Sequence, residues 1–202
     1  RLSLVRYSTM ASVVLPLTHV DDVGRRRAEA GLLALAPDGR TNLWAGLEMG
    51  LDELRLSGAS KVAQSVGPRT SAVILLTDGH PNVVPPRGIV GMLERYSLKH
   101  SNTPPVYTVG FGYDLDSALL DDIAREGGGE YFFVPDASFV GTVFVNVVSN
   151  LLCAHSQSGI LRIAVDQANG DWDIADDPLM SEFTRSGTPG EVIMRVGTLR
   201  QG

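Results

Sequence analysis

Two short stretches of this chain place an oxygen-bearing side chain at the edge of a regular element. In Arg40-Thr41-Asn42-Leu43-Trp44-Ala45-Gly46-Leu47 the hydroxyl of Thr41 stands just ahead of an apolar helical pattern. In Val73-Ile74-Leu75-Leu76-Thr77-Asp78-Gly79 the carboxylate of Asp78 follows the abrupt end of a hydrophobic run. A hydroxyl and a carboxylate are hard oxygen donors, the kind that hold Mg²⁺. Each also has an ordinary structural reading: Thr41 as the N-terminal cap of the helix that follows, and Asp78-Gly79 as a turn closing a strand. His80, beside them, reads as a loop histidine on the rim.

Other chemistries find less support. His19, His80, His100 and His155 fall in different elements, with no His-x-x-x-His or Cys/His spacing of a zinc site. There is no Gly-x-Ser-x-Gly elbow and no Ser-x-x-Lys pair to supply a nucleophile. Gly110-Phe111-Gly112 lacks the third glycine of a dinucleotide loop. Asp114 and Asp116 are not followed by the further oxygens and terminal Glu of a calcium loop, and Asp116 reads as the cap of a helix over Ser117 to Glu126. An α/β hydrolase or phosphotransfer enzyme centred on Asp78 would need a second carboxylate or a base, and no candidate is placed for it. The expectation is that the chain is not an enzyme.

The elements that must position Thr41 and Asp78 follow from hydrophobic periodicity. Leu2 to Tyr7 and Ala11 to Leu17 alternate as strands, joined by Ser8-Thr9-Met10 into a hairpin. From Asp21 to Ala36, Ala28, Leu32 and Leu35 recur at helical spacing until Pro37-Asp38-Gly39 breaks the pattern and the loop delivers Thr41. Trp44, Leu47, Leu51 and Leu54 lie on one face of a helix that starts near Asn42 and ends before Gly58, and Gly46 and Gly50 let it lie close to a neighbour. Ala72 to Leu76 is an unbroken apolar run, as in a strand covered on both faces.

The rhythm then repeats. A helix carries Ile89, Met92, Leu93 and Tyr96, and a strand runs from Val106 to Val109. A helix with Leu119, Leu120, Ile123 and Ala124 precedes a strand from Tyr131 to Val134, and a last helix from Phe139 to His155 carries Val140, Val143, Val147 and Leu151. Alternating strands and helices of this length predict a parallel α/β sheet, with ligands expected where its strands open into polar loops. After Ser156-Gln157-Ser158-Gly159 the pattern changes to short strands, Ile160 to Val165 and Glu191 to Val196. The expected organisation is an α/β domain over 1–155 and a β-rich extension over 156–202.

The bulk properties bound the partners. Of 202 residues, 44% are hydrophobic and 20% charged, an ordinary globular balance. A net charge of −6 and a sole basic run, Arg25-Arg26-Arg27, set beside Asp21, Asp22 and Glu29, argue against nucleic acid or an anionic membrane as partner. The single cysteine, Cys153, read as a small buried hydrophobe, forms no internal disulfide. With no glycosylation sequon present, an intracellular, cytoplasmic setting is expected. The chain begins without methionine and inside a strand pattern, so it reads as a piece of something longer.

Thr41-Asn42-Leu43-Trp44-Ala45-Gly46-Leu47, Leu75-Leu76-Thr77-Asp78-Gly79 and Val106-Tyr107-Thr108-Val109-Gly110-Phe111-Gly112 resemble, in order and spacing, the von Willebrand factor type A family. The likeness covers roughly residues 1 to 153 and is greatest to intracellular eukaryotic members. It implies a doubly wound sheet with a metal-ion-dependent adhesion site at the carboxyl end of its strands. That site is built from an Asp-x-Ser-x-Ser loop, a threonine and an aspartate. The last two map to Thr41 and Asp78, and Asn42, Gly79 and His80 would stand on the partner-binding rim. No Asp-x-Ser-x-Ser occurs, and Arg1 matches the start of the family's second strand, so the central first strand is not represented.

The resemblance therefore implies a protein-interaction module whose intact parent binds an acidic group of a protein partner through Mg²⁺, with that binding weak or lost in these residues. The alternative is a metal-independent scaffold domain within a larger protein.

Overall fold

The computed structural model describes residues 1–57, 71–100, 103–152, 154–164, 184–185 and 191–200. The alternating N-terminal stretch forms the expected hairpin, β1 (Leu2–Tyr7) and β2 (Ala11–Thr18), with Leu2 opposite Thr18 and Tyr7 opposite Ala11. Helix α1 (Asp22–Leu33) starts where the Asp21 carboxylate accepts the Gly24 amide at 2.8 Å. It buries Gly24 and Ala28 only. Leu32 and Leu35, expected on its core face, are 52% and 39% exposed.

Helix α2 (Leu43–Leu56) is the organising element. Leu47 and Leu51 have no exposed surface and Trp44 very little, as their shared face predicts, while Leu54 is half-buried; Leu43, at the helix start, is also fully buried. This face meets β1, β2 and β3 (Val73–Thr77). Gly50 lies against Val73, where an added Cβ would come within 3.3 Å of Val73 Cγ1. The core then continues through α3 (Gly88–Lys99), β4 (Val106–Phe111) and α4 (Ser117–Glu126). Leu75, Ile89, Leu93, Val106, Leu120 and Ile123 join the α2 leucines in one cluster. Burying that many aliphatic side chains, each contributing roughly 1.5–3 kcal/mol, is the main force holding the layers together.

Strands β3, β4 and β5 (Gly128–Val134) form a parallel sheet in that order, with Thr77 opposite Gly110 and Gly110 opposite Phe133. Helix α5 (Val140–Leu152) packs against β5 and turns Val143 and Val147 inward. The α/β architecture is as the sequence pattern predicts, with two further corrections. Leu76, expected on a strand covered on both faces, is 46% exposed beside Leu75 at 4%. The last helix ends at Leu152, and Ala154 already opens strand β6, so His155 lies in a strand.

The chain divides into two compact units, Arg1–Leu152 and Cys153–Gly202. The second holds an antiparallel sheet of β6 (Ala154–Ala164), β7 (Thr184–Arg185) and β8 (Glu191–Arg200), with β8 central. Cys153, read above as a buried hydrophobe, lies outside the described residues. Among the described residues, no helix is long and apolar enough to cross a membrane.

Candidate functional site

The parallel strands β3 and β4 open at their carboxyl ends into the loops that carry Asp78 and Asp114, and α2 begins beside them. The loop bearing Thr41 and the loop after β3 are laced together by three hydrogen bonds. Thr41 N donates to Asn82 Oδ1 at 2.8 Å, while Asn82 N and Val83 N donate to the Thr41 carbonyl at 3.1 and 3.3 Å. The loop bearing Thr41 is thereby tied to the loop after β3, in which Asp78 follows the carboxyl end of that strand.

Neither residue performs the structural task that its type first indicates. The N-cap of α2 is Asn42, whose Oδ1 accepts from Ala45 N at 3.1 Å while its Nδ2 donates to the Thr9 carbonyl at 3.2 Å. The turn after β3 is closed by Thr77, whose hydroxyl donates to the Gly79 carbonyl at 3.0 Å and accepts the Gly79 amide at 3.4 Å. Among the described residues, the Thr41 hydroxyl and the Asp78 carboxylate make no hydrogen bond within the protein. Asp78 is exposed and Thr41 half-buried.

The rim is formed by the neighbouring loops. His80 Nε2 approaches Asp114 Oδ1 to 3.7 Å, both exposed. Tyr113, 83% exposed, meets the Phe133 ring edge-on at a centroid separation of 5.4 Å. Of the expected rim residues, Gly79 and His80 stand on this loop, and Asn42 faces inward to its capping bonds. Gly110 is explained by packing: a Cβ there would come within 2.9 Å of Leu115 Cδ2 and 3.1 Å of the Tyr131 hydroxyl. Asp116 caps α4 as expected, accepting from Leu119 N at 3.0 Å.

Two contributors were not legible from sequence. Asn82 pairs with a residue 41 positions away, and nothing in its own surroundings marks it. Tyr7 lies at the end of β1, and its hydroxyl donates to the Leu76 carbonyl. Burial pushes this phenol upward from its ordinary value, a bond with Thr77 opposes that, and the nearby Asp78 charge adds to it.

A hydroxyl and an unengaged carboxylate suit a hard divalent cation in kind. They fall short in number. Among the described residues no group of three or more His, Cys, Asp or Glu side chains could hold a metal ion. A site of about six oxygens would draw most of its ligands from elsewhere.

Helices on a parallel sheet, with polar loops gathered at the carboxyl ends of its strands, define a doubly wound α/β domain. Residues 1–145 match the von Willebrand factor type A domain. The chain belongs to that family.

Among solved structures, a von Willebrand factor type A protein from Catenulispora acidiphila superposes with a TM-score of 0.70 at 17% identity, covering 98% of this chain and 46% of the other. Proximal thread matrix protein 1 from the mussel byssus gives a TM-score of 0.53 at 18% identity, covering 79% and 38%. A form of that mussel protein with zinc in its MIDAS motif matches equally well, at 0.53 and 18%. At these identities the likeness is one of fold, and this chain spans less than half the length of each. No curated protein matches the sequence.

Proposed function

We propose that the domain is a protein-interaction module that meets an acidic group of a protein partner at the end of the sheet carrying Thr41 and Asp78. Thr41 Oγ1 and an Asp78 carboxylate oxygen would hold a divalent cation there, Mg²⁺ by the hardness of the donors. The cation supplies a positive charge with a coordination position open to the partner's carboxylate. Gly79 and His80 border the approach, and Asn42 fixes Thr41 by capping α2. The activity is binding, with no bond made or broken, in an intracellular, cytoplasmic setting.

One observation carries this reading. The structural tasks that would account for Thr41 and Asp78 are done by Asn42 and Thr77, so both oxygens remain unengaged at the same end of the sheet. The mussel protein of the same fold with zinc in its MIDAS motif lends support to a divalent cation in this reading. Because the donor set is incomplete, these 202 residues hold Mg²⁺ weakly. In calorimetric titration, saturation is expected only above roughly millimolar Mg²⁺. A micromolar dissociation constant, unchanged in Asp78→Asn, would refute the assignment.

A further inference from the structure

Among the described residues β5 pairs with β4 only, so one of its edges carries no ladder. Gly112 N donates to the Val134 carbonyl at 2.9 Å, which turns the Val134 backbone towards β4. Alternation then turns Phe132 the same way and points the amides and carbonyls of Tyr131 and Phe133 at the open edge. Exposure agrees with this: β4 is buried from Val106 to Gly110, whereas β5 buries Val134 alone and leaves Phe133 40% exposed.

Sheets guard such edges with proline, bulges or charge. Strand β2 shows the guard: it contains Pro16, and its register against β1 shifts between Leu2 and Leu4 and again between Leu4 and Val5. Past its glycine start β5 has no such device. Its register shift lies ahead of Tyr131, and Tyr131, Phe132, Phe133 and Val134 are the aromatic and β-branched types that pair readily. Gly129 and Pro135 bound this open stretch, equally far from Phe132.

We infer that β5 pairs with β5 of a second copy of this chain, antiparallel about a two-fold axis at Phe132, so that the two parallel sheets join edge to edge. An edge of alternate donors and acceptors is matched by extended backbone, and this edge is complementary to itself. Tyr131 of each copy exchanges both backbone hydrogen bonds with Phe133 of the other, as a two-fold requires. Pro135, which has no amide to donate, then falls opposite Gly129, outside the ladder. A register centred on Phe133 would set Pro135 against Tyr131 and leave the Tyr131 carbonyl unmet. One centred on Tyr131 would set Phe133 against Gly129, with no side chain to meet it. The side chains favour the first register as well: Tyr131 and Phe133 share a face, so each Tyr131 meets a Phe133 as a cross-strand aromatic pair. Tyr113, 83% exposed and edge-on to Phe133, widens the apolar surface beside the joint. A joint this short gives a weak dimer, with a dissociation constant on the order of 100 µM.

The test uses the unaltered protein in EDTA, so that its outcome is independent of any cation at Thr41 and Asp78. Sedimentation equilibrium should show mainly monomer at about 5 µM and mainly dimer at about 1 mM. Over that range hydrogen exchange at Tyr131 and Phe133 is expected to slow about fivefold, while the β2 amides keep their rates. In a mixture of isotopically labelled and unlabelled protein, a nuclear Overhauser contact between the Phe132 Hα atoms of the two copies marks the axis, where the strands approach most closely. Phe133→Pro removes an amide that points away from β4, and should weaken the dimer at least about tenfold. A protein still monomeric at about 1 mM would overturn the inference. So would a dimer that leaves exchange at Tyr131 and Phe133 unchanged, or one that folded Phe133→Pro forms equally well. Should that variant not fold, the exchange and Overhauser measurements decide without it.

Discussion

The two ends of α2 carry side chains of similar chemistry in opposite conditions. At its C-terminal end Asp52 Oδ1 accepts the Tyr96 hydroxyl at 2.8 Å and the Arg55 guanidinium at 2.8 and 3.1 Å. Tyr96 in turn lies against the His100 ring at a centroid separation of 4.5 Å. Burial works to raise the Asp52 carboxyl, but the bonds from Arg55 and Tyr96 and the charge of Arg55 outweigh it and hold it below its ordinary value. At the N-terminal end the Thr41 hydroxyl and the Asp78 carboxylate are left without internal partners. A polar group satisfied within the fold supports the fold, and one held in place but unsatisfied is available to a ligand.

Five substitutions break or sharpen this contrast. Leu47→Ala removes a side chain with no exposed surface from the middle of α2, and both ends lose their common support. A cost of about 3 kcal/mol is expected in chemical denaturation. Asn42→Ala removes the cap and the tie to Thr9, for about 1–2 kcal/mol by the same measurement, and loosens the Thr41 end alone.

Tyr96→Phe acts on the opposite end and is expected to cost about 1 kcal/mol. It carries a pH signature as well. Because the folded value of Asp52 is depressed, its stabilisation is present above its ordinary value of 3.8 and is lost as pH falls through the folded value. Without the Tyr96 bond the folded value lies closer to 3.8, so that loss should be smaller and complete at higher pH, which melting curves recorded across the acid range would show. Smallest of all, Thr41→Val and Asp78→Asn should each change stability by less than about 0.5 kcal/mol, since neither side chain is engaged. A larger loss in either would give that residue a structural task.

Much of the scaffold was legible because its elements are strongly periodic. Trp44, Leu47 and Leu51 face the core as the spacing requires, with Leu54 half-buried at the helix's far end, and the alternation of β1 and β2 matched their hairpin. The apolar run of β3 misled about Leu76, because a continuous hydrophobic strand says nothing about what covers its second face. Leu32 and Leu35 misled in the same way on α1: helical spacing shows that a face exists, and packing decides whether it is buried. At the site, positions 41 and 78 were legible as oxygen donors, but not which neighbours did the structural work. Threonine and asparagine both cap helices, and only the backbone showed that Asn42 does so. The bonds from Asn82 to Thr41 depend on two loops distant in sequence and left no local trace.

The most direct test is to locate where a divalent cation first acts on the protein. Mn²⁺ added well below equivalence while amide signals are followed by NMR should broaden Thr41, Asn42, Asp78, Gly79 and His80 first, and leave Asp52 and Glu53 at the far end of α2 sharp. Broadening centred on Asp52, or on the exposed acidic pair Asp21 and Asp22 with the Thr41 and Asp78 amides unaffected, would contradict the account.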